Sequence, residues 1–424
     1  MLAFAALPFA WAGGQSEKST SQASGTGQPI ELTYMTRFRA EEFGRKAWDD
    51  LAQRYSAKNP NVKITFIDIT YQQMRQQTLL RAQAGNPPDI TEPVVSWIPT
   101  FAGAGILEPV SNYFTKSELD NYFSASIEDA TIDGVTYAIP FWNGPILLFG
   151  NKELLKKVGF TGTDLGDIQQ FRTLVEKIGK LGNDSHGQQI VGFALRDDKS
   201  ANTALWFVPW LWQYGGSLVD DSGNPALDSD GMKKALEFYQ WMTKNGYAAK
   251  GMDPYKTRTL FAQGDAGFVF DGPWLNSMLR TITKGSEVDS MYQVFPMPKG
   301  INGKQLTIAK PTDLVVLKGS KHKKEAFDFV KFATSDATTL KGLWEDQGLL
   351  PAVKSLGNAP YLQTPYGQLF VSQINNSKGV PWKNEQWPGV QDILAKAITE
   401  AVTGGNVDDL AKSAQSDFRQ LMNK

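Results

Sequence analysis

The hydrophobic and polar positions of the first 95 residues form a repeating pattern of strands and helices. Residues 30–35 and 62–69 are apolar runs with little polar alternation, which is typical of strands buried on both faces. Residues 41–57 and 71–84 instead carry apolar side chains at helical spacing. A short strand is predicted to begin at residues 89–90. This order predicts an α/β domain with a parallel sheet.

The pattern is different in the middle of the chain. Residues 133–142 predict a turn and a strand, and residues 146–160 predict a strand that runs into a helix. Residues 220–224 contain acids and glycine but lack the spacing and final Glu of an EF-hand, so they predict a hairpin turn rather than a calcium site. Ser229 or Asp230 is predicted to cap the helix that follows.

Strand-like runs return in the last third of the chain. Residues 266–270 form a short apolar strand, and residues 306–310 and 313–318 predict two more. A helix is predicted over 322–334, and the remaining chain is mostly helical with an interruption at 348–355.

The length of the chain, 424 residues, is too great for one typical hydrophobic core, so we expect two domains. The order of elements predicts two α/β lobes, with crossings near residues 143–147, near 293–298 and near 334. The predicted lobes are discontinuous in sequence: 29–143 plus 296–334 for the first, and 144–295 plus 335–424 for the second. Such crossings make a hinge, and the cleft between the lobes is the natural ligand site.

The first 28 residues predict a targeting segment. A short apolar run ends in Ala10-Trp11-Ala12, a small-x-small pattern like that of a signal-peptide cleavage site. The Ser- and Gly-rich tract up to Gln28 predicts a flexible tether. No cysteine follows the apolar run and no later segment is apolar enough to span a bilayer, so we expect a freely soluble, exported protein.

Composition excludes several classes of function. The 43 basic and 44 acidic residues give a net charge of −1, which predicts no nucleic-acid partner. The absence of cysteine and the presence of two histidines exclude disulfides, thiolate metal sites and multi-histidine zinc sites. Phosphate-loop, dinucleotide-binding and nucleophile-elbow motifs are also missing. The sequence therefore predicts neither a cofactor nor a metal.

Several stretches, taken in order, resemble one family. They are LAQRYSAKNPNVKI at 51–64, PPDITEPVVSWIPTFAGAGILEPV at 87–110, DGVTYAIP at 133–140, NKELLKKVG at 151–159, FAQGDAGFVFDGPW at 261–274 and GLLP at 348–351. The chain resembles the extracellular solute-binding proteins of ABC sugar importers, the maltose-binding-protein-like group. The resemblance implies a two-lobe periplasmic-binding-protein fold, each lobe a mostly parallel sheet flanked by helices. It also implies a periplasmic monomer that closes on a carbohydrate and docks transiently onto an ABC permease.

A sugar site needs flat aromatic platforms for C–H faces and fixed polar groups for hydroxyls. Trp274 and Asp271 follow the strand at 266–270 and are candidates for these two tasks, although Asp271 could equally shape a turn. Trp142 and Asn143 stand at the first crossing. Trp97 follows the third strand, where it could either contact the sugar or pack in the core.

Other candidates come from an arginine, an aromatic stripe and the end of the chain. Arg39 follows the first strand, where it could bind hydroxyls or remain a solvated surface residue. Trp206 and Trp210 share one helical face, a pattern more typical of core, but Pro209 is predicted to interrupt that helix and let one Trp reach the cleft. The candidates near the end of the chain are Trp382 and Glu345.

Two alternatives to sugar binding stay open on the sequence. The cargo could be a non-sugar solute such as a glycerol phosphate, a polyamine or a peptide, and Arg37 with Arg39 keeps an anionic sugar derivative open as well. A glycoside-active enzyme would need two carboxylates facing each other across the bond, and no such pair is marked in the sequence.

Overall fold

Two separate β-sheets organise the chain in the computed structural model, which describes residues 29–40, 44–285 and 288–423. The predicted signal-peptide remnant and tether, residues 1–28, lie outside the described residues. The first sheet has six strands and the second has four. Both are covered by helices, so the predicted two-lobe α/β fold is confirmed.

The six-stranded sheet is built from segments that are widely separated in the chain. Its strands lie in the order Leu350–Pro351, Ile139–Asn143, Thr312–Val316, Ile90–Thr91, Ile30–Thr36 and Val62–Asp68. Ile30–Thr36 pairs in parallel with both of its neighbours, whereas Thr312–Val316 pairs antiparallel with both of its own.

The four-stranded sheet is built around the strand that the apolar run at 266–270 predicts. Its strands lie in the order Tyr292–Phe295, Leu147–Asn151, Ala266–Asp271 and Val191–Ala194. Only the last pair is parallel. Both sheets are therefore mixed, which corrects the expectation of mostly parallel sheets: chain segments returning through the crossings enter each sheet in the opposite direction. Two short ladders stand apart, Thr307–Ile308 with Ser377–Lys378 and Thr131–Ile132 with Val135–Thr136.

Helices flank these sheets. The α-helices among the described residues are Arg45–Lys58, Tyr71–Gln83, Ile98–Gly103, Lys116–Leu119, Ser124–Asp129, Lys152–Lys157, Ile168–Gly179, Ala201–Gln213, Asp230–Lys244, Pro254–Ala262, Leu275–Thr283, Val288–Met291, Lys323–Ser335, Ala337–Gln347, Pro365–Gln373, Trp387–Val402 and Val407–Met422. Short 3₁₀ turns lie at Val95–Trp97, Val110–Asn112, Lys354–Leu356, Pro360–Leu362 and Ile374–Asn376.

Local sequence explains these helices well. In Arg45–Lys58, the buried residues Trp48, Leu51 and Tyr55 recur at intervals of three and four, which directs one face toward the six-stranded sheet. Ser229 caps Asp230–Lys244 by accepting a hydrogen bond from the backbone N–H of Met232 at 3.3 Å. The predicted hairpin turn at 220–224 is confirmed, since the Asp220 carboxylate accepts backbone N–H bonds across it.

The helix Ala201–Gln213 differs from the prediction at Pro209. Proline was expected to interrupt it, yet the helix continues through this residue. Proline removes one backbone N–H from a helix and crowds the preceding turn. Here nearly every residue of the helix is buried, so packing on all sides holds the helical conformation despite that loss.

The crossings between the sheets are short. Residues 144–146 connect Ile139–Asn143 of the first sheet directly to Leu147–Asn151 of the second. The return runs antiparallel beside them: the N–H of Lys310 donates to the carbonyl of Gly144 at 3.0 Å, and the N–H of Ile146 donates to the carbonyl of Ile308 at 2.8 Å.

Two predicted crossings are displaced along the chain. The chain leaves the four-stranded sheet after Tyr292–Phe295 but joins the six-stranded sheet only at Thr312, so the return lies near 309–311 rather than 293–298. Leu350–Pro351 pairs with Trp142 and Asn143, which keeps the chain with the first sheet beyond residue 334. Such pairing between distant segments leaves no local signal in sequence, and the remaining lobe boundaries stay a prediction.

Within the described ranges, no helix combines the length and apolar character needed to cross a bilayer. The same residues contain no cluster of three or more His, Cys, Asp or Glu side chains arranged to hold a metal ion.

Candidate functional site

A cavity of about 400 Å³ lies beside the crossings, between the two halves of the molecule. Its walls come from a strand of the six-stranded sheet, from helices and loops of both halves and from the returning crossing. The lining residues are Arg37, Phe38, Tyr71, Trp142, Arg196, Asn202, Trp206, Pro254, Arg258, Trp274, Ser277, Met278, Thr281, Lys310, Gln347 and Leu349. A larger cavity of about 780 Å³ borders the helix Leu275–Thr283, but none of its lining residues precedes Lys152 in the chain. We take the smaller cavity as the candidate site because both halves of the molecule build it.

Aromatic rings form much of this cavity wall. The rings of Trp142 and Trp274 meet edge to face with centroids 6.1 Å apart, and Phe38 meets Trp142 at the same distance. Tyr71 and Trp206 add two further rings. Trp206 is oriented by its indole N–H, which donates to the carbonyl of Phe270 at 2.8 Å. The wall thus offers flat apolar surfaces of the kind that sugar C–H faces require.

Two glycines make room for the Trp274 ring. A Cβ on Gly144 would lie 2.5 Å from the Trp274 ring, and a Cβ on Gly272 would lie 2.4 Å from it. Both distances are far shorter than normal carbon contacts. The Gly in the sequence Asp271-Gly272-Pro273-Trp274 therefore serves the placement of the indole, which also donates its N–H to Asp271 Oδ1 at 2.9 Å.

Asp271 lies behind the cavity wall and holds three of its residues. Its carboxylate is completely buried and pairs with Arg196 at 2.9 Å and Arg258 at 2.7 Å, besides Trp274. Burial alone would raise the pKa of Asp271, but the Arg258 and Arg196 guanidinium groups lower it to about 2. Asp271, predicted as a possible ligand contact, does not itself line the cavity but holds three side chains that do.

Two cations stand on the other side of the cavity. Arg37 donates to Thr312 Oγ1 at 2.9 Å and stacks its guanidinium over Phe38 at 4.4 Å. The Lys310 ammonium lies 4.6 Å from the centre of the Tyr71 ring and 5.9 Å from that of Trp206. Burial lowers the pKa of Lys310, and the neighbouring guanidinium groups of Arg37 and Arg196 lower it further, while Tyr71 raises it.

Of the predicted site residues, Trp142 and Trp274 line the cavity, and their role in binding stays a prediction. Asn143 does not line it: its side chain is buried and donates to Ser126 Oγ at 2.6 Å. Trp97 packs in the core beside Tyr71, with ring centres 5.3 Å apart. Both predictions are corrected: the Asn143 side chain leaves its strand on the face opposite to that of Trp142, and the Trp97 side chain packs into the core.

The remaining predicted residues also lie away from the cavity. Trp210 is buried among aromatic side chains and stacks on Phe171 at 5.4 Å. Arg39 forms salt bridges with Asp49 and Asp68 outside the cavity. The two candidates near the end of the chain do not line the cavity either. Trp382 packs on Phe418 of the last helix, and Glu345 pairs with Lys341 beside the larger cavity.

Several residues that line the cavity were not predicted as site residues from the sequence. They are Tyr71, Arg196, Trp206, Arg258 and Lys310. Four of them occur in ordinary helical or loop sequence with no motif around them. Trp206 alone had a signal, the suggestion that one Trp of its helix reaches the cleft, but Trp210 was selected in its place.

Known proteins resemble this chain along most of its length. The family model described as bacterial extracellular solute-binding protein matches residues 44–339. A maltotriose-binding protein of Pyrococcus abyssi is 24% identical over 89% of this chain and 80% of its own. A galactooligosaccharide-binding protein of Bacillus subtilis is 23% identical over 85% of this chain and 84% of its own.

A solved structure shares the fold. The GacH receptor of Streptomyces glaucescens, determined unliganded and in complex with acarbose, superposes with a TM-score of 0.80 at 20% identity, covering 94% of this chain and 100% of its own. At this level of identity the likeness establishes the two-lobe architecture. The family model, matching well over half of the chain, establishes the relationship. The chain belongs to the bacterial extracellular solute-binding proteins.

Proposed function

We propose that this protein binds a carbohydrate in the cavity between its two sheets and delivers it to an ABC permease. The observation that carries the proposal is the cavity wall, where Trp142, Trp206 and Trp274 from different segments surround one space with polar side chains between them. The relatives that bind maltotriose, galactooligosaccharide and acarbose support a sugar as cargo. Delivery as a periplasmic monomer belongs to the same proposal.

The alternatives are less favoured by the cavity. Polyamines are cations and would meet Arg37, Arg196, Arg258 and Lys310 in the wall, where like charges repel. A glycosidase would need two facing carboxylates, whereas the lining residues of the described cavity include neither Asp nor Glu. Binding without chemistry is the simpler account of these walls.

A panel of soluble ligands tests the proposal. Mono- to tetrasaccharides, sugar phosphates, polyamines and short peptides are compared by thermal shift and calorimetry, since a ligand that binds only the folded state raises the melting temperature. We expect at least one carbohydrate to bind at about micromolar affinity or better. Binding confined to peptides or polyamines would contradict the proposal. Release of reducing ends from an oligosaccharide during prolonged incubation would instead support the glycosidase alternative.

A further inference from the structure

Positive charge dominates the wall of the candidate cavity. Arg37, Arg196, Arg258 and Lys310 all line it, and no Asp or Glu does so among the described residues. This contrasts with the whole chain, whose basic and acidic residues are nearly equal in number. A cleft lined by one sign of charge between low-dielectric walls concentrates its field on whatever enters.

The charges on one side of the cavity are compensated within the protein. Arg196 and Arg258 share the buried carboxylate of Asp271, and Asp198 adds a second negative charge near Arg196. Desolvation lowers the pKa of Arg196 to about 10, so it remains protonated at neutral pH. This side of the cavity is therefore close to neutral overall.

The charges on the other side are not compensated in the same way. No carboxylate oxygen of the described residues lies within 4.0 Å of a side-chain nitrogen of Arg37 or Lys310. Glu92 lies behind Arg37 and interacts with it electrostatically, so Arg37 is partly compensated, although the Glu92 carboxylate also accepts from the hydroxyls of Tyr34 and Thr36. Lys310 thus carries the least compensated charge in the wall.

Arg37 and Lys310 also lie close to each other. Both are positioned over the same Tyr71 ring, with the Arg37 guanidinium 5.3 Å and the Lys310 ammonium 4.6 Å from its centre. Two cations beside one ring repel each other in a partly desolvated site, and the attraction of each cation to the ring is weak compared with that to an anion. An anion placed between them and the cavity would remove this repulsion and gain charge-assisted hydrogen bonds.

The position of Lys310 connects this charge to both halves of the molecule. Its backbone N–H donates to Gly144 in the neighbouring crossing, so the residue sits where the two sheets are joined. From there its ammonium faces Tyr71 on one side and Trp206 on the other. A ligand group bound to Lys310 would lie at the centre of the cavity, beside the rings that would hold the sugar.

We infer that the cargo is an anionic saccharide, one whose carboxylate, phosphate or sulfate group is bound by Lys310 and Arg37 while the aromatic walls hold its ring. The inference rests on the proposed sugar-binding function and narrows it to a charged class of sugar. Oxyanions suit these two residues because Arg presents a planar pair of donors and Lys a compact positive charge.

Matched pairs of ligands test the inference. Galacturonate and its di- and trisaccharides are compared with galactose and galactobiose, glucose 6-phosphate with glucose, and N-acetylglucosamine 6-sulfate with N-acetylglucosamine, all by calorimetry. We expect one anionic class to bind about tenfold or more tighter than its neutral partner, and the preference to weaken at high salt. The ligand class that binds most tightly shows whether the anionic group of the cargo is a carboxylate, a phosphate or a sulfate.

Three variants assign the effect to Lys310. Lys310→Met keeps the length of the side chain but removes its charge, and should weaken binding of the anionic ligand about tenfold or more beyond any loss that it causes for the neutral partner of that ligand. Lys310→Arg should restore anion binding. Lys318→Met is the matched control, because Lys318 is an exposed lysine just beyond the neighbouring strand and does not line the cavity.

Failure of the inference can be distinguished from failure of the proposed function. If neutral sugars bind as tightly as their anionic partners or tighter, the inference is overturned and sugar binding stands. If an anionic preference survives Lys310→Met unchanged, the assignment to Lys310 is wrong. If no carbohydrate of either kind binds, the proposed function itself is overturned.

Discussion

Trp274 is the residue with the most closely specified position in the candidate site. Gly144 and Gly272 leave space for its ring, Trp142 meets its edge, and Asp271 accepts its indole N–H. Each of these contacts comes from a backbone or buried neighbour that cannot move easily. Such a supported aromatic surface is what a binding platform needs in order to discriminate among ligands.

Replacing Trp274 with alanine tests this platform. We expect affinity for the best carbohydrate of the panel to fall about tenfold or more, because the stacking surface is lost. Far-UV circular dichroism and melting temperature should stay near those of the wild type, since the ring is only partly buried. An unfolded variant, or one with unchanged affinity per folded molecule, would assign Trp274 to the core.

Asp313 allows a second prediction at the residue scale. Its carboxylate is buried, neither oxygen has a hydrogen-bond partner among the residues that the structure describes, and desolvation together with the charge of Asp129 raises its pKa well above the usual value. The folded state therefore retains a proton that the unfolded state has lost above about pH 4, and stability must fall as pH rises through this window.

The variant Asp313→Asn removes this titration. In urea unfolding between pH 5 and 8, the wild type should lose stability relative to the variant by up to about 1.4 kcal/mol per pH unit until the raised pKa is reached. Asp129, whose pKa burial raises to about 6, titrates in both proteins and so largely cancels in the difference. Parallel pH profiles for the two proteins would contradict the prediction.

At the scale of elements, the helix Ala201–Gln213 places two tryptophans in different surroundings. Trp206 reaches the cavity, with Arg196 stacked 4.5 Å from its ring, whereas Trp210, one helical turn later, packs against Phe171, Phe193 and Phe238. A helix buried on all sides can serve the core and the site together, because its faces meet different neighbours.

Trp210→Ala separates these two tasks. We expect the free energy of unfolding to fall by about 3–5 kcal/mol, the usual cost of removing a large buried aromatic side chain. Carbohydrate affinity per folded molecule should stay within about twofold of the wild type, because Trp210 does not line the cavity. Urea titration and calorimetry measure the two effects, and the result expected is the reverse of that for Trp274→Ala. A loss of affinity without loss of stability would return Trp210 to the site.

At the scale of the whole molecule, the short crossings join two sheets that build one cavity between them. Residues 144–146 and 309–311 run side by side and are hydrogen-bonded to each other, so they form a narrow connection. We expect the two halves to rotate about this connection, and the ligand to favour the closed form because only that form contacts it from both sides.

Small-angle scattering measures this closure. The radius of gyration should decrease when saturating carbohydrate is added, and intrinsic tryptophan fluorescence should change with the same affinity, since three Trp residues line the cavity. A scattering profile that does not change at saturation would contradict the closure mechanism even if binding is strong.

The sequence alone determined the kind of fold and the family. Hydrophobic periodicity is a local property, so it predicted Ile30–Thr36, Val62–Asp68, Tyr71–Gln83 and Asp230–Lys244 to within one or two residues. The order of short motifs along the chain identified the solute-binding proteins, since that order survives low identity. It also placed Trp142 and Trp274 at strand ends near a crossing.

Only the tertiary structure decided which side chains share the cavity. Arg37, Arg196 and Lys310 are far apart in sequence and meet because separate strands and crossings bring them together. Asn143 and Trp210 occur in equally suggestive sequence, yet their side chains turn into the core. The direction in which each side chain points depends on packing between distant segments, which a single sequence does not record. The same holds for the ion pairs of Asp271 and for the excess of positive charge in the cavity wall.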